Sequence, residues 1–212
     1  MRLDHVSYAA GPDGLAATAQ RIGAALGAGF RDGGVHPRFG TRNLVLPLAG
    51  GTYLEVVGAL DHPAADKAPF GQAVKTRTEQ GGGWLAWVLA VDDIEPVEAR
   101  LARPAVAGHR RRPDGVVLTW RQIGILELLD DPALPFFVQW QVDPALHPGS
   151  HPDPGSVPPA IERVEICGSR DKTEKWLGHG DTVDFPVDWI EDDAPGLVAV
   201  HFRTAHGSVR VE

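Results

Sequence analysis

The sequence predicts an α+β chain built from repeated βαβββ units, and three observations carry that prediction. Apolar and polar residues alternate in short runs that read as strands. Each series of strands is interrupted once, after its first member, by a stretch with helical spacing. The order strand, helix, three strands then recurs along the chain. The 25 glycines and 18 prolines are spread between these runs, which suits a sheet-rich fold with many turns.

The first strand is LDHVSYAA, with Leu3, His5 and Ser7 on one face and Asp4, Val6 and Tyr8 on the other. A GPDG turn leads into LAATAQRIGAALGAG, where Leu15, Ala19, Ile22 and Leu26 share a helical face and Gly27 and Gly29 stop the helix. Strands at 29–36, 43–48 and 52–59 complete the unit, the last two joined by a tight LAGG turn. The triple glycine at 81–83 precedes a strand and is followed by no lysine or serine, so it reads as a flexible joint between modules and not as a phosphate cradle. The second unit runs through the strand WLAWVLAVDD (84–93), the helix IEPVEARLA (94–102) and strands near 106–112, 116–122 and 135–142. A third, shorter series starts at AIERVEICGS (160–169), continues with RDKTEKWLG as helix, and ends with DFPVDWIE, GLVAVHFRT and GSVRVE as strands. Between the second and third lies DPALHPGSHPDPGSVPP (143–159), whose prolines forbid regular structure. The expected organisation is a paired-module domain over 1–142 (modules 1–60 and 84–142), a Pro-rich linker over 143–159, and a third short α+β module over 160–212. The third module has no pairing partner in the chain, so its open sheet is expected to pack on the first two.

A chain of 212 residues can bury a core without disulfides or a structural metal. One cysteine, Cys167, excludes an intramolecular bridge and a cysteine-rich zinc site; it reads as an inert buried thiol. No basic-then-apolar leader is present, which points to a reducing cytoplasm. A net charge of −8 works against phosphate-backbone binding, and no uncharged apolar run approaches the roughly 18 residues of a membrane span. Neither nucleic acid nor a membrane is therefore expected as a partner. The basic run HRRRPDG (109–115) stands before a Pro-Asp-Gly turn and reads as a solvated hairpin tip.

The chemistry concentrates in GVHPRFGTRNLVLPLAGGTYLEVVGAL (34–60), where Glu55 interrupts an apolar strand. An unpaired carboxylate in an apolar interior costs several kcal/mol, so Glu55 needs a cation, a proton or strong hydrogen bonds. It is a metal ligand, a general base, or a buried acid satisfied by donors such as Asn43 or Arg42. If the His5 and Glu55 faces line one concavity, an imidazole and a carboxylate converge there, a donor set suited to zinc, iron, manganese or nickel. Thr41 and Asn43 either form a turn or point donors at a substrate; Arg38 and Arg42 either meet an acid substrate or are solvated charges. Gln139, between aromatics in PFFVQWQ, is suited to orienting a substrate if it faces the cavity. Trp84, Trp87, Trp120 and Trp140 read as core and inter-module packing. His109, His147, His151, His179, His201 and His206 show no short ligand spacing and read as surface or strand residues.

LDHV, HPRFGTRN, TYLEVV and PFFVQW together resemble the vicinal oxygen chelate superfamily, the glyoxalase and bleomycin-resistance fold, over about residues 1–142. Within it, the chain is most similar to glyoxalase-like domain proteins. The resemblance implies that the two modules pair their sheets into an incomplete barrel around a divalent metal, with ligands from the first and last strands of each module. It implies a metal that holds vicinal oxygens and stabilises an enediolate or oxyanion. His5 and Glu55 match the first-module ligand positions, and Glu55 can double as the base. The second module departs from the pattern: aligning LAWV on LDHV puts Trp87 opposite His5, and aligning FFVQW on YLEVV puts Gln139 opposite Glu55. His36 is the remaining ligand candidate, giving a His5, His36, Glu55 set, with Arg38, Thr41, Arg42, Asn43, Trp87 and Gln139 around the substrate. The implied function is a small-molecule enzyme of lyase, isomerase or dioxygenase type acting on a compact polar substrate, such as an α-keto or hydroxy acid or an aldehyde adduct. The alternatives are a metal-free binding or sequestering protein of the same fold, and an assembly role for a homodimer.

Overall fold

The computed structural model describes residues 1–152, 155–178, 183–192 and 194–212; His179 and residues 153 and 154 of the linker lie outside them. The first unit is β1 (Arg2–Ala9), α1 (Leu15–Leu26), β2 (Arg31–His36), β3 (Thr41–Pro47) and β4 (Tyr53–Ala59). Two helices that the sequence reading did not anticipate follow, α2 (Pro63–Lys67) and α3 (Pro69–Glu79). The second unit is β5 (Gly83–Ala90), α4 (Glu95–Leu101), β6 (Val106–Arg111), β7 (Val117–Ile123), a short α5 (Glu127–Asp130) and β8 (Phe136–Trp140). The third is β9 (Ala160–Cys167), α6 (Arg170–Leu177), β10 (Val187–Ile190), β11 (Gly196–Thr204) and β12 (Gly207–Val211).

The first two units form one barrel with strand order β1-β4-β3-β2-β6-β7-β8-β5, closed by the β5–β1 pairing. In each unit the first strand pairs parallel with the last, β1 with β4 and β5 with β8. Where an incomplete barrel was expected, pairing runs all the way round, although the join between β2 and β6 rests on one register pair, Val35 with Arg111. The third series has the expected order but another topology: β9 lies inside its sheet, between β10 and β11. It is not a third copy of the module.

Two apolar layers follow from strand alternation. The inner layer holds Val57, Val88, Trp120, Phe136 and Val138, capped by Phe39 and by Phe70 and Val74 near and on α3. The outer layer joins Trp84, Trp87 and Leu89 of β5 to α1 and to Val164, Ile166, Val200 and Phe202 of the second sheet. Fully burying each such side chain stabilises the fold by about 1.5–3 kcal/mol, so the second sheet is a substantial cover for β5. Trp84 Nε1 donates to Val211 O at 2.9 Å and Trp176 Nε1 to Pro135 O at 2.8 Å across the same boundary.

Two local expectations change. The triple glycine is a tight, packed turn and not a loose joint: all three have positive φ, and a Cβ on Gly82 would stand 2.8 Å from the Gly11 backbone. Cys167 is half-buried, its Sγ 3.4 Å from Asp192 O.

Candidate functional site

The inward faces of both modules line a small cavity. His5, Tyr53 and Glu55 come from β1 and β4, and His36 from the end of β2. Arg110, Trp120, Gln122, Phe136, Val138 and Trp140 come from β6, β7 and β8, and Phe70 of α3 closes the space. His5, His36 and Glu55 thus line one cavity.

Glu55 is 4 % exposed, and both of its oxygens are taken. Ser7 Oγ donates to Oε2 at 2.5 Å and Asn43 Nδ2 to Oε1 at 2.6 Å. Burial pushes its pKa up, but the histidines His5 and His36 and these two donors outweigh that and hold it below the ordinary glutamate value. Asn43 is therefore a structural donor to the carboxylate, and Thr41 Oγ1 is hydrogen-bonded to His36 Nδ1 at 3.0 Å. His36 is buried, and desolvation, only partly offset by the charge of Glu55, brings its pKa down to about 4, so the ring is neutral near pH 7.

His5 is aimed by a residue that the alternation placed on the opposite face. The pairing of β1 with β5 slips between Leu3 and His5, leaving Asp4 as the extra residue of a bulge. The bulge brings the Asp4 carboxylate to His5 Nδ1 at 2.7 Å. Asp4 Oδ1 also takes Trp140 Nε1 at 3.0 Å and His147 Nε2 at 3.1 Å. Burial raises the Asp4 pKa, yet the bonds from His147 and His5 and their charge outweigh it and hold the carboxyl well below the usual range. An ionised Asp4 is an acceptor only, so Nδ1 carries the proton in the neutral ring and Nε2 carries the lone pair. Nε2 faces Glu55 Oε2 across 3.9 Å, and the ring stacks on Tyr53 with centroids 4.4 Å apart. His147, read from sequence as a surface or strand residue, comes from the Pro-rich segment and supports the site. No short spacing could announce it; only the fold joins 147 to 4.

The second module corrects two residues by one position. His5 pairs with Val88, and the parallel pairs His5–Tyr53 and Ser7–Glu55 match Val88–Phe136 and Ala90–Val138. The counterparts of His5 and Glu55 are thus Val88 and Val138, where Trp87 and Gln139 were expected. A one-residue shift turns a strand side chain to the other face. Trp87 lies fully buried in the outer layer with Nε1 donating to Ala133 O, and Gln139 reaches outward to Asp92 O at 2.7 Å. Arg42 also points away, to Asp32 at 2.8 Å, and Arg38 lines an outer groove with Nη1 on Ala107 O. The amide that does face the cavity is Gln122, whose Oε1 takes Trp120 Nε1 at 2.5 Å. Arg110, assigned from sequence to a solvated tip, is 3 % exposed and lines the cavity. Gly108 and Arg110 are buried alternately on β6, which the basic run conceals in the sequence.

The residues do not fit a metal as placed. Among the described residues no group of three or more His, Cys, Asp or Glu side chains is disposed to hold one. Glu55 spends both oxygens on Ser7 and Asn43, the second-module positions carry Val88 and Val138, and the permanent cation Arg110 shares the cavity.

A model of the family described as "Glyoxalase-like domain" matches residues 3–180. A hypothetical protein from Staphylococcus aureus superposes with a TM-score of 0.61 at 17% identity, over 100% of this chain and 85% of that one. A Streptomyces coelicolor methylmalonyl-CoA epimerase variant in complex with 2-nitronate-propionyl-CoA gives 0.43 at 19% identity, over 67% of this chain and 99% of its own. A 4-hydroxymandelate synthase mutant from the same organism gives 0.43 at 18%, over 99% of this chain and 61% of its own. No curated protein matches the chain.

Proposed function

The chain belongs to the glyoxalase-like domain family of the vicinal oxygen chelate superfamily, and from that premise we propose that it is an enzyme that moves a proton at a carbon beside the carbonyl of a small polar substrate. The observation that carries this reading is the Asp4–His5 bond, which fixes the imidazole and leaves Nε2 as a base in the cavity. In the step, the substrate C–H bond breaks, the proton joins Nε2, and the electron pair moves onto the carbonyl oxygen as an enolate. The imidazolium then lies between two carboxylates, Asp4 at 2.7 Å and Glu55 at 3.9 Å, which stabilise it. Return of the proton to carbon or oxygen completes an isomerisation. Glu55, held ionised by Ser7 and Asn43, is a fixed negative charge beside that imidazolium.

Of the lyase, isomerase and dioxygenase types, these residues support the proton-transfer ones. A divalent metal on His5, His36 and Glu55 is the form that the superfamily implies; the donor arrangement does not fit it, and no step is routed through one. The barrel closes within a single chain, so the reading needs no second copy. Among the described residues no helix is long and apolar enough to cross a membrane.

The test is deuterium incorporation beside the carbonyl of pyruvate or 2-oxobutyrate in deuterated buffer, followed by proton NMR. Incorporation above the buffer rate is expected, unaffected by EDTA and reduced roughly 100-fold or more in His5→Ala. Ligand binding without any exchange would replace this reading with a sequestering protein of the same fold. Exchange abolished by EDTA would return the metal to His5, His36 and Glu55.

A further inference from the structure

Arg110 has no use in the chemistry above, and its surroundings are unusual for an arginine. In the register of the two modules it is the counterpart of His36: His36 pairs with Thr41 on β3 as Arg110 pairs with Leu118 on β7. It therefore points to the same interior, and it is 3 % exposed. Its Nε has no hydrogen-bond partner, and among the described residues no carboxylate forms an ion pair with it. Desolvation pulls its pKa below the ordinary arginine value, and Tyr53 and Glu55 offset that only at a distance. An uncompensated buried guanidinium costs several kcal/mol. A protein that keeps one facing a cavity leaves the compensation to whatever enters.

We propose that Arg110 anchors the carboxylate of a monoanionic substrate, so that the cavity takes small 2-oxo or 2-hydroxy monocarboxylic acids. This deepens the proton-transfer reading and rests on the same cavity. The planar guanidinium suits a carboxylate with two parallel hydrogen bonds. The charges in the cavity set the class: Arg110 lines it together with the ionised Glu55, and among the described residues no further Lys or Arg lines it to meet a second negative charge on the ligand. The remaining walls near it, Phe39, Phe70, Phe136 and Val138, offer an apolar surface for a short side chain.

A second observation concerns the approach. An outer groove shares Phe39, Phe70, Gln122 and Ile125 with the cavity, and its rim carries Arg38, Lys67 and Arg103. Arg103 is paired with Glu127, whereas Lys67 stands exposed and Arg38 donates to the Ala107 backbone carbonyl, with no carboxylate on it among the described residues. In a chain of net charge −8, cations on the rim of a groove that adjoins the cavity favour an anion near Arg110.

The experiment titrates the full chain with 2-oxobutyrate, its neutral amide, and the dianion succinate, followed by fluorescence of Trp120 and Trp140, which line the cavity. The acid is expected to bind at least tenfold more tightly than the amide and than succinate. Arg110→Gln should remove the advantage over the amide, and Arg110→Lys should recover part of it. Equal binding of acid and amide by the wild type, no binding of the acid, or an advantage retained in Arg110→Gln would each overturn the proposal. If Arg110→Gln does not fold, the wild-type comparison and Arg110→Lys decide. His5→Ala separates the two readings: it should lose deuterium exchange and keep the preference for the acid. A preference without exchange in the wild type leaves the anchor standing and the proton transfer fallen; exchange without preference does the reverse.

Discussion

A buried carboxylate survives only if something replaces its water, and at Glu55 the replacements are Ser7, Asn43 and the field of two histidines. Of the ways considered for satisfying this acid, the geometry selects donors from Ser7 and Asn43. His36 presents the opposite case, a ring kept neutral by its surroundings. Glu55 favours its proton, while desolvation and the charges of Arg110, His5 and His109 oppose it, leaving a pKa of about 4 against 6.5 in the unfolded chain. The sign follows: above pH 6.5 neither state takes the proton. As pH falls from 6.5 to about 4, the unfolded chain binds it and the folded one does not. Stability is therefore expected to fall by about 3 kcal/mol across that window. Urea denaturation at pH 7 and pH 4.5 checks this, with His36→Gln expected to flatten the dependence; an equal loss in both proteins would remove His36 as the cause. His5, His36 and Glu55 were legible in the sequence because a polar residue within an apolar alternation has few reasons to be there. Arg110 was not, because it stands inside a basic run, and a run hides the one member that turns inward.

At the scale of elements, bulges and register decide what composition cannot. The bulge at Asp4 breaks the alternation of β1 and creates the Asp4–His5 pair. The second-module alignment failed by one residue, and in a strand one residue is the difference between cavity and outer layer. Helices α2 and α3 carried a signal that went unused: Pro63 and Pro69 each stand at a first helical turn, and His62 caps α2 through Nδ1. Missing α3 meant missing Phe70, a wall of the cavity. The β6–β7 pair also has a narrow tolerance. Gly108 lies opposite Trp120, and a Cβ there would stand 2.4 Å from the indole. Gly108→Ala is thus expected to push Trp120 off its bond to Gln122 and into the cavity, with about 1–3 kcal/mol of destabilisation from overpacking. The check is a shifted tryptophan emission together with at least a tenfold loss of 2-oxobutyrate affinity. Unchanged emission and affinity would show that the strand moves instead.

For the whole molecule, the question is what the second sheet does for a barrel that already closes without it. Proline density marks 143–159 as a linker in the sequence, but the segment is more than a spacer. His147 hydrogen-bonds Asp4 and packs its ring edge-on to Tyr53 and Trp140, and Gly149 lies against the Gly51 backbone. Beyond it, Phe202 stacks over Trp84 with ring centroids 6.5 Å apart, and Val164, Ile166 and Val200 share the outer layer with Trp87 and Leu89. The Tyr8 hydroxyl donates to the backbone oxygen of Glu212 at 3.1 Å, tying β1 to the far end of the chain. Removing 159–212 would uncover a contiguous apolar face on β5, the strand that pairs with the bulged β1. A chain ending at Pro158 is therefore expected to aggregate, or to bind the dye ANS with weakened near-ultraviolet circular dichroism. Because the bulge that aims Asp4 depends on the β1–β5 pairing, whatever soluble fraction remains should exchange deuterium into 2-oxobutyrate more slowly than the full chain. A soluble fragment with native spectra and full exchange would show that the second sheet is an independent appendage and that the barrel alone holds the site.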